Sequence, residues 1–77
     1  MMQVKILGTG CPKCNKLYEE TQQAAFELGL ECHIEKVTDM REITGYGILM
    51  TPALVVDGQV KVSGKVPSRE DLKKMLA

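Results

Sequence analysis

The chain has 77 residues, 44% of them hydrophobic with no Trp, which allows one small domain with a core of Leu, Ile, Val, Met and Ala. Ten basic side chains balance ten acidic ones and no basic run exceeds two residues, which argues against nucleic acid and an anionic membrane surface as partners. The first residues lack the pattern of a secretory leader, and no apolar run approaches the roughly 18 residues that span a bilayer, so a cytoplasmic location is expected.

Gln3 to Leu7 reads as a short strand, with Val4 and Ile6 on one face and Leu7 on the other. Gly8-Thr9-Gly10 is a turn. A helix then starts near Pro12, a residue suited to a first helical turn. Leu17, Tyr18, Thr21, Ala24, Ala25 and Leu28 recur at spacings of three and four and form its apolar stripe, and Gly29 caps its end. Glu31 to Val37 alternates as a second strand. Cys32 and Ile34 share one face, with His33 and Glu35 on the other. Asp39 caps a short helix from Met40 to about Tyr46, weakened by Gly45 and Gly47.

Thr51-Pro52 leads into Ala53-Leu54-Val55-Val56, apolar on both faces like a central strand. Asp57-Gly58 is a hairpin turn, and Gln59 to Ser63 alternates cleanly as an edge strand. Gly64 breaks it. Ser68 is the N-cap of a last helix, with Asp71 three residues on and an apolar stripe of Leu72, Met75 and Leu76. Met40 and Met50 are expected to fill core gaps. Cys32 is expected to be a small buried hydrophobe, His33 and the Glu70 pairs with Lys73 or Lys74 to be solvated, and Asp57 to serve the turn alone. The order is β-α-β-α-β-β-α in one domain covering residues 1–77, with no linker or repeat.

The chemistry concentrates in Gly10-Cys11-Pro12-Lys13-Cys14, between a strand and a helix. A free thiol ionises near pH 8.5, so little is thiolate at neutrality. Unpaired N–H groups and the positive end of the dipole at a helix N-terminus favour the thiolate. Cys11 at the N-cap receives most of that field and is the expected nucleophile. Cys14, one turn deeper and better shielded, is the expected resolving thiol, attacking the Cys11 sulfur of a mixed disulfide. Lys13 adds a positive charge beside the pair.

A bare Cys-x-x-Cys also fits buried core cysteines or half of a metal site. Cys11, Cys14, Cys32 and His33 are formally enough for zinc, but adjacent strand residues Cys32 and His33 point to opposite faces. Small copper chaperones place the same motif after a first strand at nearly this length, but they run β-α-β-β-α-β, whereas this chain ends in a helix. Redox exchange is thus the main expectation, with no bound metal or cofactor.

With these residues in place, the sequence resembles the thioredoxin/glutaredoxin superfamily, above all its very small archaeal and bacterial thioredoxin-like members, the redox-active disulfide proteins. The resemblance covers nearly the whole chain, through Gly8-Thr9-Gly10-Cys11-Pro12-Lys13-Cys14, Met50-Thr51-Pro52-Ala53, Val56-Asp57-Gly58 and the Gly64 break. It implies an α/β thioredoxin-like fold: a four-stranded mixed sheet with helices on both faces. It implies a protein-disulfide oxidoreductase with Cys11 as nucleophile and Cys14 as resolver. Pro52 matches the cis-proline beside the disulfide, although an X–Pro bond judged alone is ordinarily trans. Thr51 matches the residue whose backbone hydrogen-bonds substrate, and Gly64 falls where glutaredoxins carry glycines near glutathione. Pro12, Lys13, Thr51 and Gly64 are therefore the candidate substrate contacts. The implied partners are protein disulfides and an electron donor, either a thioredoxin-reductase-like protein or glutathione; nothing in the sequence demands more than a monomer. Gly10 in place of the usual Trp, the Pro12-Lys13 pair and the missing buried Asp depart from ordinary thioredoxins.

Overall fold

A computed structural model describes residues 2–77. The elements run β1 (Met2–Leu7), α1 (Pro12–Leu28), β2 (Cys32–Val37), α2 (Met40–Gly45), β3 (Ala53–Val56), β4 (Gln59–Ser63) and α3 (Arg69–Leu76). This is the expected order, with ends shifted by a residue at most. The four strands form one sheet in the order β2-β1-β3-β4. β1 runs parallel to β2 and antiparallel to β3, and β3 and β4 make the hairpin.

The sheet is covered on both faces, as its sequence pattern requires. Val4, Ile6, Leu54, Val56 and Val62 meet Leu17, Ala24 and Ala25 of α1 and Leu72 and Leu76 of α3. On the other face Leu7, Val37, Ala53 and Val55 meet Ile43 of α2. α1 is long because its stripe is unbroken, and it stops where Gly29 turns left-handed at φ 67° and returns its N–H to the Ala25 and Phe26 carbonyls. Asp39 and Ser68 cap α2 and α3, their side chains accepting from the N–H groups of Arg41 and Asp71. Both turn residues of the β3–β4 hairpin have positive φ, Asp57 at 48° and Gly58 at 84°, which matches the twist of the flanking strands. The Asp57 carboxylate also accepts from the Gln3 N–H at 2.8 Å, tying the turn to β1.

Four expectations are corrected. Leu28, placed in the α1 stripe, is 38% exposed at the helix end. Met40 and Met50 do not fill core gaps; they are 57% and 63% exposed, because both lie where no element covers them. β4 does not alternate cleanly. Leu54 pairs with Val62 but Val55 with Val60, so Lys61 is an extra residue in a bulge that sends Val60 and Val62 to opposite faces. Lys73 is not solvated decoration. It reaches Glu27 on α1, while Arg69 donates to Glu27 at 2.9 Å and to Glu20 at 2.6 Å, so α1 and α3 are pinned by a shared network.

Candidate active site

The end of β1 and the start of α1 build the site. After Leu7 the backbone leaves the sheet through Gly8, whose N–H still donates to the Val37 carbonyl of β2 at 3.0 Å. Gly10 turns with φ 91°, which glycine adopts without steric cost. Cys11 is then the N-cap of α1 in an extended conformation, with Pro12 in the first turn and no acidic residue in that turn to cancel its positive end. The Cys14 N–H donates to Cys11 Sγ at 3.3 Å, so the sulfur occupies the place of a capping oxygen.

Both cysteines are free thiols. Cys11 is partly exposed, whereas Cys14 is 5% exposed. Their environments push their acidities apart. The Cys14 side chain hydrogen-bonds the Cys11 sulfur and, with the backbone N–H groups at the helix start, holds its pKa below the ordinary thiol value. Burial pushes the Cys14 thiol up, and its bond to Cys11 adds to that. The two thiols of one pair thus differ in acidity, the more exposed one being the more acidic.

The segment before β3 closes the other side. The Thr51–Pro52 peptide is cis, and Pro52 is fully buried. Its carbonyl accepts from the Gly64 N–H at 2.8 Å, which joins the two loops. Gly64 has φ 80°, and a Cβ there would lie 3.2–3.3 Å from the Met50 side chain, so Met50 rests directly on this glycine. Leu49 beside it is fully exposed. Pro12 and Lys13 lie exposed on the first turn of α1.

Gly8 is a site residue that sequence reasoning left as a plain turn former. A Cβ on it would overlap Cys14 Sγ and come 4.0 Å from Thr51 Cβ, so Cys14, Gly8 and Thr51 meet at one point. Lys36 was likewise not singled out. It lines a cavity of about 210 Å³ together with Ile6, Gly8, Cys14, Asn15 and Thr38. Its charge gave no signal, since its approach to α1 depends on strand pairing.

Cys32 does not join the cysteine pair. It pairs with Met2 at the far end of β1, roughly 17 Å of strand from the Leu7 end. It is partly buried against the α1–α3 face, and burial raises its thiol pKa. His33 lies exposed on the opposite face, 3.8 Å from Glu35. Among the described residues no three Cys, His, Asp or Glu side chains gather as metal ligands. A larger hollow of about 510 Å³ lies on the α2 face among Lys5, His33, Glu35 and Tyr46, and neither cysteine of the pair lines it. No described helix is long and apolar enough to cross a membrane.

Comparison with known proteins gives the same reading from the whole chain. A thioredoxin domain family model matches residues 2–77. A thioredoxin of Methanothermobacter thermautotrophicus is 40% identical over 77 residues, covering 100% of both chains. A thioredoxin of Methanocaldococcus jannaschii is 43% identical over 76 residues, covering 99% of this chain and 87% of its own. A probable thioredoxin, also of Methanothermobacter thermautotrophicus, is 34% identical over 65 residues, 80% of this chain and 75% of its own. Matched along its length, and with its dithiol set at a strand-to-helix turn, the chain belongs to the thioredoxin family and carries out thiol–disulfide exchange through Cys11 and Cys14.

Proposed function

We propose that the two cysteines divide the work, and that the chain reduces disulfides in other proteins with electrons from a thioredoxin-reductase-like protein. The single observation that carries the division is the pair of opposite environments: Cys11 half-open at the helix N-cap, Cys14 buried one turn inside. The Cys11 thiolate attacks a substrate disulfide and a mixed disulfide forms, with the substrate's second sulfur leaving as thiolate. Cys14 then loses its proton to water and attacks Cys11 Sγ. The Cys11–Cys14 bond forms, and the first substrate sulfur leaves with the electron pair. Two electrons have passed from the dithiol to the substrate.

The loop of Thr51 and Pro52, with the first turn of α1, forms the substrate cradle. Thr51 offers backbone groups to an extended peptide, Pro52 shapes the wall beside the sulfurs, and Pro12 and Lys13 border the entry. Met50 covers Gly64, which leaves an apolar rim of Leu49 and Met50 suited to a protein surface. That rim favours a protein donor over glutathione. The 77 residues act as one domain and as a monomer, in the cytoplasm, with protein disulfides as acceptors.

Three measurements test this reading. The Cys11 alkylation rate, followed against pH, is expected to show a midpoint below that of an ordinary thiol. Cys14→Ser is expected to accumulate a mixed disulfide on Cys11 with a protein substrate. A normal Cys11 midpoint together with no trapped adduct overturns the assignment of roles. Turnover with glutathione but not with a reductase overturns the choice of donor.

A further inference from the structure

The two outer strands of the sheet differ. β4 is interrupted by its bulge, whereas β2 pairs with β1 in one unbroken register, from Met2 with Cys32 to Leu7 with Val37. The Val37 carbonyl accepts from the Gly8 N–H and the Glu31 carbonyl from the Met2 N–H, so the odd-numbered residues turn their backbone groups toward β1. By alternation Cys32, Ile34 and Lys36 turn theirs outward, where among the described residues no strand meets them. The side chains of these three lie on the α1 face, and those of His33 and Glu35 on the other.

This row is self-complementary. A second copy, related by a two-fold axis normal to the sheet, lays its β2 antiparallel to the first. Only registers centred on Ile34 or on Glu35 then pair most of the strand and keep every side chain on its own face. Centring on Glu35 sets that carboxylate against itself, which destabilises. Centring on Ile34 sets Ile34 against Ile34, Cys32 against Lys36, and His33 against Glu35 on both sides of the axis. Cys32, Ile34 and Lys36 then exchange roughly six backbone hydrogen bonds with the copy. The His33–Glu35 pairs fall at the positions without hydrogen bonds, where side chains stand closest. Each Glu35, already 3.8 Å from Lys5 and from His33 of its own chain, gains the copy's imidazole as a further partner.

The helix above this edge supplies a second observation. Asn15 and Tyr18 of α1 touch Lys36, so that flank of the helix lies toward β2. Gln22 and Phe26, two and three turns past Asn15, continue the same flank. Phe26 is the chain's one Phe, and it is 82% exposed. The two-fold axis that joins the β2 edges brings these flanks of the two α1 helices toward each other on one face.

We propose that two copies join through their β2 edges, antiparallel about Ile34, into one continuous sheet, with the Phe26 rings covered at the join. Each dithiol site is built within a single chain, so the monomer remains the catalytic unit.

Sedimentation velocity on the full chain, kept reduced so that no thiol cross-links, reads the association. A dimer is expected to appear between about 10 μM and 1 mM, the range of a small, partly polar interface. Phe26→Ser and Glu35→Lys, both at exposed positions, are each expected to weaken it about ten-fold, because each change counts twice across the axis. Combining His33→Glu with Glu35→Lys puts opposite charges back in register and is expected to recover the charge part of that loss. The register is read separately in a Cys11→Ser, Cys14→Ser, Cys32→Ala background. There Ile34→Cys is expected to close a disulfide across the axis on mild oxidation, well ahead of Glu35→Cys. A chain that stays monomeric at about 1 mM overturns the proposal and leaves this edge to a strand of some other protein. So does a dimer indifferent to both Phe26→Ser and Glu35→Lys, and faster cross-linking through Glu35→Cys overturns the pairing about Ile34.

Discussion

Gly8 shows how one missing methyl group shapes a redox site. A side chain there would occupy the space of Cys14 Sγ and stand 3.0 Å from Cys14 Cβ. Either the strand end or the first turn of α1 would have to move. Gly8→Ala is therefore expected to cost about 1–3 kcal/mol in denaturant unfolding, the usual range for overpacking a tight site. It is also expected to push Cys14 outward, so that its alkylation speeds up. Unaltered stability and unaltered Cys14 reactivity would mean that the contact relaxes freely. Sequence reasoning found Cys11 because the N-cap is a local property, written within four residues of the helix start. It missed Gly8 because its constraint comes from a neighbour six residues on, visible only once α1 folds back over the end of β1.

At the scale of elements, the pairing of α1 and α3 has an acid-sensitive component. Glu27 is hydrogen-bonded by Lys73 and Arg69, and these hold its carboxyl below the usual glutamate range. Lys73 and Arg69 are raised in turn, chiefly by Glu27 and by Glu20 respectively. A carboxyl depressed in the folded state adds stability above its unfolded pKa, and that contribution is lost as pH falls through the folded value. Thermal melts are thus expected to show a lower Tm at acidic pH than at neutrality, and Glu27→Gln to remove part of that dependence. An identical pH profile in the variant would exclude the network as its source.

The elements themselves were legible because each rests on short-range pattern: the three-and-four spacing of α1, the Asp57-Gly58 turn, the Ser68 cap. The bulge at Lys61 was not, because a bulge belongs to the pairing of two strands and alternation describes only one. Met40 and Met50 were misplaced for a related reason. Composition marks a residue as apolar, while only the finished fold shows that the start of α2 leaves Met40 uncovered and the loop before β3 leaves Met50 so.

For the whole molecule, stability rests on few side chains. The α1–α3 face holds most of the buried core, and the α2 face a smaller cluster. Leu72, with 0% exposure, joins α3 to both α1 and the sheet. Leu72→Ala is expected to cost about 2–5 kcal/mol. Set against a total of about 5–15 kcal/mol for a folded domain, that loss is a large fraction. Chemical denaturation of the reduced protein measures it, and a change under about 1 kcal/mol would show that the neighbouring side chains refill the space.

The sheet also has two outer strands, β2 and β4, each with one side that no other strand pairs. Such a side is a ready template for a strand of another copy, which is how fibres begin. On β4 the extra residue at Lys61 interrupts the repeat, and its side chain stays exposed with the ammonium 3.4 Å from Gln59 Oε1. An arriving strand meets a kink and a charge where it needs a continuous row of N–H and C=O groups. The irregularity that hid from the alternating pattern thus works against strand-to-strand stacking along that side.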